Sequence, residues 1–107
     1  MRIAFASIDG SSIDQHFGSA RYWQIYDILV DSFTYITMRK TGAKCQGNCE
    51  GGFEHLFEVL TDCDAVFVAR IGQGAAAFMI SKGIRVFEAM GSVEDIIYEL
   101  QRSNFIE

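Results

Sequence analysis

Apolar and polar positions follow two different periods in the two halves of the chain. In the first half, apolar runs and alternation predict three strands, over residues 2–8, 22–29 and 33–39. The link between the last two strands is short, which favours an antiparallel hairpin. Residues 9–18 and 41–52 are rich in polar residues and glycine and are predicted to be loops.

Helical spacing replaces alternation in the second half. An apolar stripe from Phe53 to Leu60 predicts a first helix, and residues 74–81 predict a second helix with Gly83 just beyond its end. Ser92 is placed to cap a third helix. The apolar stripe of this third helix consists of Val93, Ile96, Ile97 and Leu100.

Two short apolar runs, at residues 65–69 and 84–87, predict strands between these helices. Strands separated by helices pair in parallel through right-handed crossovers. The order βββαβαβα therefore predicts an α/β fold with a mixed five-stranded sheet flanked by helices, in a ribonuclease H-like arrangement. The length of 107 residues suits a single domain over residues 1–107.

Composition narrows the possible partners. The net charge of −5 argues against nucleic acid or an anionic membrane as a partner, because these require clustered basic residues and the only local cluster is Arg39, Lys40 and Lys44. No apolar run is long enough to span a bilayer, and the three cysteines cannot form a complete disulfide framework, so we expect a cytoplasmic protein. Apolar residues such as Phe33, Tyr35 and Phe105 suit either a monomer or a homodimer.

The loop after the first strand contains a candidate metal ligand, His16, followed by an aromatic residue and a glycine. Open α/β sheets bind ligands at the carboxyl ends of their strands, and a neutral imidazole binds metals. The alternative is a turn histidine that bonds only to its own loop. Carboxylates at Asp9, Asp14 and Asp27 are the type that a nuclease uses to bind metal, but the basic surface for its substrate is absent.

The second loop contains two thiols four residues apart, Cys45 and Cys49. Together with His16 and with His55 on the following helix, they could form a soft N/S site for zinc, copper or an iron–sulfur cluster, with Lys44 stabilising the thiolates. A reducible disulfide or two free thiols are the alternatives. Cys63 lies beside an apolar strand and is predicted to be a small core residue.

A glycine-rich turn precedes the second helix. Gly72 and Gly74 form a G-x-G-x-x-A pattern after a strand, and Glu88 ends the next strand, which matches the outline of a dinucleotide site. This turn does not follow the first strand, as it would in a Rossmann domain. Close approach of helix and sheet is therefore the favoured explanation of the glycines, with anion binding near Arg70 second and a nucleotide third.

Six segments together resemble the dinitrogenase iron–molybdenum cofactor biosynthesis family, and the resemblance covers nearly the whole chain. The segments are M-R-I-A-F-A-S at 1–7, D-Q-H-F-G-S-A at 14–20, W-Q-I-Y-D at 23–27, L-T-D-C-D-A-V at 60–66, I-G-Q-G-A-A at 71–76 and K-G-I-R-V-F at 82–87.

This resemblance implies a ribonuclease H-like fold without nuclease activity and a role in cluster binding or cofactor assembly. His16 matches the H-F-G motif of the family, in which the histidine is a candidate cluster ligand. We expect a non-enzymatic carrier of an iron–sulfur or molybdenum-containing cluster that works with cofactor-assembly proteins. His16, Cys45 and Cys49 would bind the metal, while Arg70, Gly72 and Gly74 would offset its charge. The alternatives are a zinc- or copper-binding regulatory module and a nucleotide-dependent enzyme.

Overall fold

A computed structural model of the protein describes residues 1–17, 20–40 and 54–103, and five strands within them form one mixed sheet. In chain order the elements are β1 (Arg2–Ala6), β2 (Ser12–Ile13), β3 (Tyr22–Ile28), β4 (Phe33–Lys40), α1 (Glu54–Leu60), β5 (Ala65–Val68), α2 (Gln73–Ser81), β6 (Arg85–Glu88), β7 (Gly91–Ser92) and α3 (Val93–Arg102). Across the described residues, no helix is long and apolar enough to cross a membrane.

The large sheet has the strand order β4-β3-β1-β5-β6. β1, β5 and β6 are parallel, whereas β3 is antiparallel to both of its neighbours. The predicted α/β fold with a mixed five-stranded sheet is therefore confirmed. Because β4 runs antiparallel to β3, its last residue, Lys40, lies at the same edge of the sheet as the carboxyl ends of β1, β5 and β6.

Residues 3–6 of β1 are fully buried because helices cover both faces of the central sheet. Ala4 and Ala6 face the layer of α1 and α2, whereas Ile3 and Phe5 face α3. Ile8, predicted to end this strand, lies outside it and is exposed.

On the α3 face, three phenylalanine rings cross the parallel strands. The ring of Phe67 lies 5.4 Å from that of Phe5 and 5.0 Å from that of Phe87, and both pairs are stacked. Val93, Ile97 and Leu100 of α3 belong to the same buried cluster. The amphipathic stripe predicted for this helix is thus the part that packs on the sheet.

The helix boundaries follow the predicted cap residues. Ser92 accepts a hydrogen bond from the N–H of Asp95 at 3.3 Å, as expected of an N-cap. After α2, Gly83 adopts a positive φ of 90°, and its N–H donates to the carbonyl of Ile80 at 2.9 Å.

A second, two-stranded sheet is absent from the sequence-based prediction. β2 pairs antiparallel with β7, and the N–H of Val93 donates to the carbonyl of Ser11 at 2.8 Å. The side chain of Ile13 is buried in the α3 layer. Residues 11–13, which lie in a segment predicted to be entirely loop, therefore attach that segment to the start of α3.

An ion-pair network begins at Arg2, the first residue of β1. Its guanidinium contacts Asp27 at 2.7 Å and Asp62 at 2.8 Å, and Arg39 contacts Asp62 at 2.6 Å. Arg39 also donates to the carbonyl of Val59, at 2.8 Å. The hydrogen bond from Arg2 holds the pKa of Asp27 below the ordinary value for a carboxyl group, and those from Arg39 and Arg2 do the same for Asp62.

Replacing Asp62 by Asn is expected to lower the free energy of unfolding by about 1 kcal/mol at neutral pH, because Arg2 and Arg39 lose a shared carboxylate that is part-exposed to solvent. Since the pKa of Asp62 is lowered in the folded state, the stabilisation is complete above about pH 4 and disappears as the pH falls through the lowered pKa. Urea unfolding of both proteins across this range measures the effect.

Asp31→Asn is the matched control, because Asp31 is an exposed turn residue outside this network. Equal unfolding midpoints for the wild type and Asp62→Asn at neutral pH would contradict the prediction.

Candidate functional site

Two loops meet at the edge of the sheet where the parallel strands end. The N–H of Ala69 donates to the carbonyl of Gln15 at 2.9 Å, and the N–H of Phe17 donates to the carbonyl of Arg70 at 2.8 Å. Alongside these bonds, His16 pairs with Arg70 in a parallel β-bridge. The loop after β1 and the turn after β5 are thereby joined backbone to backbone.

His16 faces solvent because both of its neighbours are anchored in the protein. Gln15 is 8% exposed; its Nε2 donates to the carbonyl of Tyr22 at 2.8 Å, and its Oε1 accepts the N–H of Arg21 at 3.1 Å. Phe17 is fully buried and makes an edge-on contact with the ring of Trp23, at 6.0 Å between centroids. The sequence Gln-His-Phe thus alternates buried, exposed and buried, as in a strand.

The loop that leads to His16 is held by its own polar residues. Asp9 accepts the N–H groups of Ser11 at 2.8 Å and Ser12 at 3.4 Å, and these donors lower the pKa of Asp9. Asp14 accepts the N–H of Ile8 at 3.3 Å.

Asp27 instead pairs with Arg2 at the other end of β1. The three carboxylates considered as a nuclease site therefore have structural partners and do not form one cluster.

The turn from β5 into α2 lies beside this bridge. Gly72 is the N-cap residue of α2 and has an extended conformation, with φ −78° and ψ 161°. Among the described residues no side chain caps the helix, and its first turn contains no acidic residue. The helix therefore begins with free N–H groups and a partial positive charge. No carboxylate in its first turn offsets that charge.

Glu88, at the end of β6, fixes this turn from the other side. Its Oε2 accepts the N–H of Ile71 at 2.9 Å. The sequence correctly predicts Glu88 at the end of its strand. The role that the pattern suggests for it is that of the acidic residue of a dinucleotide-binding site. Its contact with the backbone of the turn is a positioning role that the sequence pattern did not reveal.

The glycines of this turn are not required for packing. A Cβ added at Gly72 or Gly74 would have no heavy atom within 4 Å, and neither residue has a positive φ. The favoured explanation, close approach of helix and sheet, is therefore wrong at these two positions. Their absence of side chains instead leaves the start of α2 open to solvent.

We use "the rim" for the surface formed by His16, Arg70, Gly72 and Gly74. It combines an exposed imidazole, an exposed guanidinium and the N-terminus of α2 at the carboxyl edge of the sheet. An imidazole can ligate a metal, while guanidinium and backbone N–H groups bind anions. The rim is therefore suited to bind an anionic ligand that contains a metal ion.

The other predicted ligands are not placed beside the rim by the described residues. Cys45, Cys49 and Lys44 lie outside those residues, and so does the side chain of His55, whose backbone belongs to α1. Within the described part of the chain, no three His, Cys, Asp or Glu residues are grouped to hold a metal ion. Cys63 is 5% exposed and packs in the core, as predicted.

Comparison with known proteins gives consistent matches. A family model described as dinitrogenase iron-molybdenum cofactor matches residues 1–103. Protein NifX of Azotobacter vinelandii is 28% identical over 85 residues, which is 79% of this chain and 54% of NifX. The FeMo cofactor biosynthesis protein NifB of Bradyrhizobium diazoefficiens is 30% identical over 84 residues, covering 77% of this chain and 17% of NifB.

Among solved structures, the crystal structure of PH0822 matches with a TM-score of 0.74 and 23% identity, covering 96% of this chain and 92% of that one. At this identity the match supports the fold alone. The chain spans about half the length of NifX and less than a fifth of NifB.

Gly74→Ala is expected to raise the free energy of unfolding by about 0.5–1 kcal/mol, because alanine favours the helix and meets no neighbouring atom. The control is Gly83→Ala, which places a side chain at a positive φ and is expected to lower the free energy of unfolding by about 1 kcal/mol. Thermal and urea unfolding of the two variants compare these changes. Equal destabilisation by both would show that Gly74 is held by packing after all.

The thiol of Cys63 is expected to resist alkylation in the folded protein, because burial raises its pKa to about 12. In Cys45→Ser/Cys49→Ser, where Cys63 is the single remaining thiol, iodoacetamide at about pH 8 meets roughly a thousandfold less thiolate than in the unfolded chain. Mass spectrometry with and without urea measures the two rates. Equal rates would contradict the buried position.

Proposed function

The chain belongs to the dinitrogenase iron-molybdenum cofactor family, and from that premise we propose that it binds a metal–sulfur cluster as cargo at the rim, in the assembly of a molybdenum–iron cofactor. The name of the relative NifB, a FeMo cofactor biosynthesis protein, supports this pathway, although the chain corresponds to only part of NifB. The proposed activity is binding and transfer, without turnover.

The observation that carries the proposal is the backbone bridge between His16 and Arg70. It brings an imidazole, which as a ligand has borderline softness, and a guanidinium onto adjacent backbone segments that leave neighbouring parallel strands. Metal–sulfur clusters with thiolate ligands are anionic, so a cation beside a metal ligand favours their binding. In this proposal the imidazole of His16 ligates a metal of the cluster, and Arg70 donates hydrogen bonds to its sulfur atoms.

The start of α2 contributes a second positive field. Its N–H groups at Gly72 and Gly74 lie two and four residues after Arg70, and the helix dipole favours a negative ligand there. Glu88 is occupied by the N–H of Ile71, so it positions the turn while adding one negative charge near it. Arg70 offsets that charge.

Cys45 and Cys49 are proposed as additional ligands, with His55 as a further candidate. The support is topological: β4 ends with Lys40 at the same edge of the sheet as the rim, and Cys45 follows only five residues later. Sulfur ligands from that segment would supply the soft donors that iron prefers.

Anaerobic reconstitution with iron, sulfide and molybdate tests the proposal. We expect wild type to acquire a coloured cluster with iron and acid-labile sulfide. His16→Gln and Cys45→Ser/Cys49→Ser are each expected to lower cluster affinity by about tenfold or more, since loss of a ligand costs at least as much as loss of its supporting contacts. His55→Gln, assayed in parallel, shows whether the second imidazole contributes.

Cys63→Ala is the matched control for the cysteine variants, because its thiol is buried in the core, and it is expected to bind as much iron as wild type. Two outcomes would overturn the proposal. One is equal iron uptake by wild type and a variant lacking His16, Cys45 and Cys49. The other is stoichiometric zinc, without a visible chromophore, in protein purified anaerobically.

A further inference from the structure

The outer side of β4 is an open sheet edge in the described part of the chain. β4 is the last strand on its side of the sheet and has eight residues, twice the length of β5 or β6. Within residues 1–17, 20–40 and 54–103 it pairs with β3 alone. An unpaired edge presents a row of N–H and C=O groups that can pair with another polypeptide.

Along most of β4 the side chains do not provide the usual protection of such an edge, because its only charged residues, Arg39 and Lys40, come at its end. Natural edge strands use charged residues or proline to prevent pairing. Here Phe33, Tyr35, Ile36 and Met38 are between 40% and 50% exposed. The ring of Tyr26 on β3 supports two of them from below, at 6.0 Å from Phe33 and 5.3 Å from Tyr35. We call these four exposed residues the β4 surface.

A bulge limits the length of β4 with which one extended segment can pair. Ile25 pairs with Thr37 and Tyr26 pairs with Tyr35, so Ile36 is an extra residue in β4. The bulge separates residues 33–35 from residues 37–40. A short segment that pairs with one of these stretches is therefore a better fit than a long strand.

A groove next to the β4 surface supplies charge. It has a volume of about 330 Å³ and is lined by Phe33, Glu94, Asp95, Tyr98 and Gln101. Its base is fixed, since Nε2 of Gln101 donates to the carbonyls of Leu29 at 2.8 Å and Ser32 at 3.0 Å. We call it the α3 groove.

The two carboxylates of the α3 groove, on Glu94 and Asp95, make no ion pair with a cation among the described residues. Their position in the first turn of α3 stabilises that helix. The ring of Phe33 beside them adds what a bound cation needs, because guanidinium and ammonium groups favour aromatic faces as well as carboxylates. The other aromatic wall, Tyr98, already has the guanidinium of Arg102 at 5.7 Å from its ring centroid.

We infer that the β4 surface and the α3 groove together bind a short, extended, basic segment of a partner protein. The segment adds to β4 as a strand and places an arginine or lysine side chain in the groove. Charge complementarity selects this occupant over a second copy of the chain, since two copies would each carry a net charge of −5. The cations near the end of β4 are also already engaged, Arg39 with Asp62 and Lys40 over the ring of Tyr22.

The test is an NMR titration of the ¹⁵N-labelled 107-residue chain with acetyl-Arg-Val-Arg-Val-Arg-amide. Its charge-reversed analogue has glutamate in place of arginine. The basic peptide is expected to shift the backbone amides of β4 and of α3, and the acidic peptide is expected to leave them unchanged. No shift at millimolar basic peptide, or equal shifts with both peptides, would overturn the inference.

Two matched pairs of variants locate the binding surface. Ile36→Lys places a charge on the edge and is expected to weaken binding of the basic peptide about tenfold, whereas Ile80→Lys, on exposed α2, makes the same charge change without effect. Glu94→Gln is expected to weaken binding about threefold, and Glu58→Gln on α1 is expected to leave it unchanged.

The amide spectrum of each free variant reports whether it has folded. Should Ile36→Lys fail to fold, the glutamate pair still decides the question. Equal weakening within either pair would overturn the inference. Changes in the β4 amide shifts when the free protein is diluted would overturn the inference, because they would identify a second copy of the chain as the molecule that binds β4.

Discussion

Parallel pairing of β1 with β5 is the constraint on which the rest of the molecule depends. Both strands are buried on both faces, so helices must cover the sheet above and below, and the two strands must end at the same edge. The segments that follow them are thereby brought side by side. Two backbone hydrogen bonds then join those segments, and they determine that His16 and Arg70 are neighbours although they are far apart in the sequence.

The sequence predicts the large sheet well because the apolar positions in its strands and in α3 are the positions that the folded protein buries. Residues 3–6 are apolar at consecutive positions and are buried, and the helical stripe from Val93 to Leu100 is the packed face of α3. β2 and β7 escape prediction because two residues cannot display a period. They form only because the loop after β1 and the start of α3 meet in the folded chain, which is a long-range event that local pattern does not encode.

The sequence singles out the residues proposed for the rim but does not reveal the physical reasons for their exposure. His16 was identified from its loop and its motif, yet the reason for its exposure is the burial of Gln15 and Phe17 on either side of it. Gly72 and Gly74 were interpreted sterically, and the structure shows open space around both. A glycine looks the same in a sequence whether it permits close packing or leaves a helix end accessible, so only the surrounding atoms distinguish the two roles.

A chain of hydrogen bonds through the buried Gln24 connects the β4 surface to the loop that carries His16. The hydroxyl of Tyr35 donates to Oε1 of Gln24 at 2.9 Å, and Nε2 of Gln24 donates to the carbonyl of Ser7 at 3.0 Å. Ser7 in turn accepts the N–H of Gly10 through its hydroxyl, at 2.9 Å. Since Gln24 is buried, an unmatched amide would be costly, and its two contacts fix the loop relative to β4. A segment bound along β4 would therefore be held in a defined orientation to the rim, about three strand spacings or roughly 14 Å across the sheet from β5.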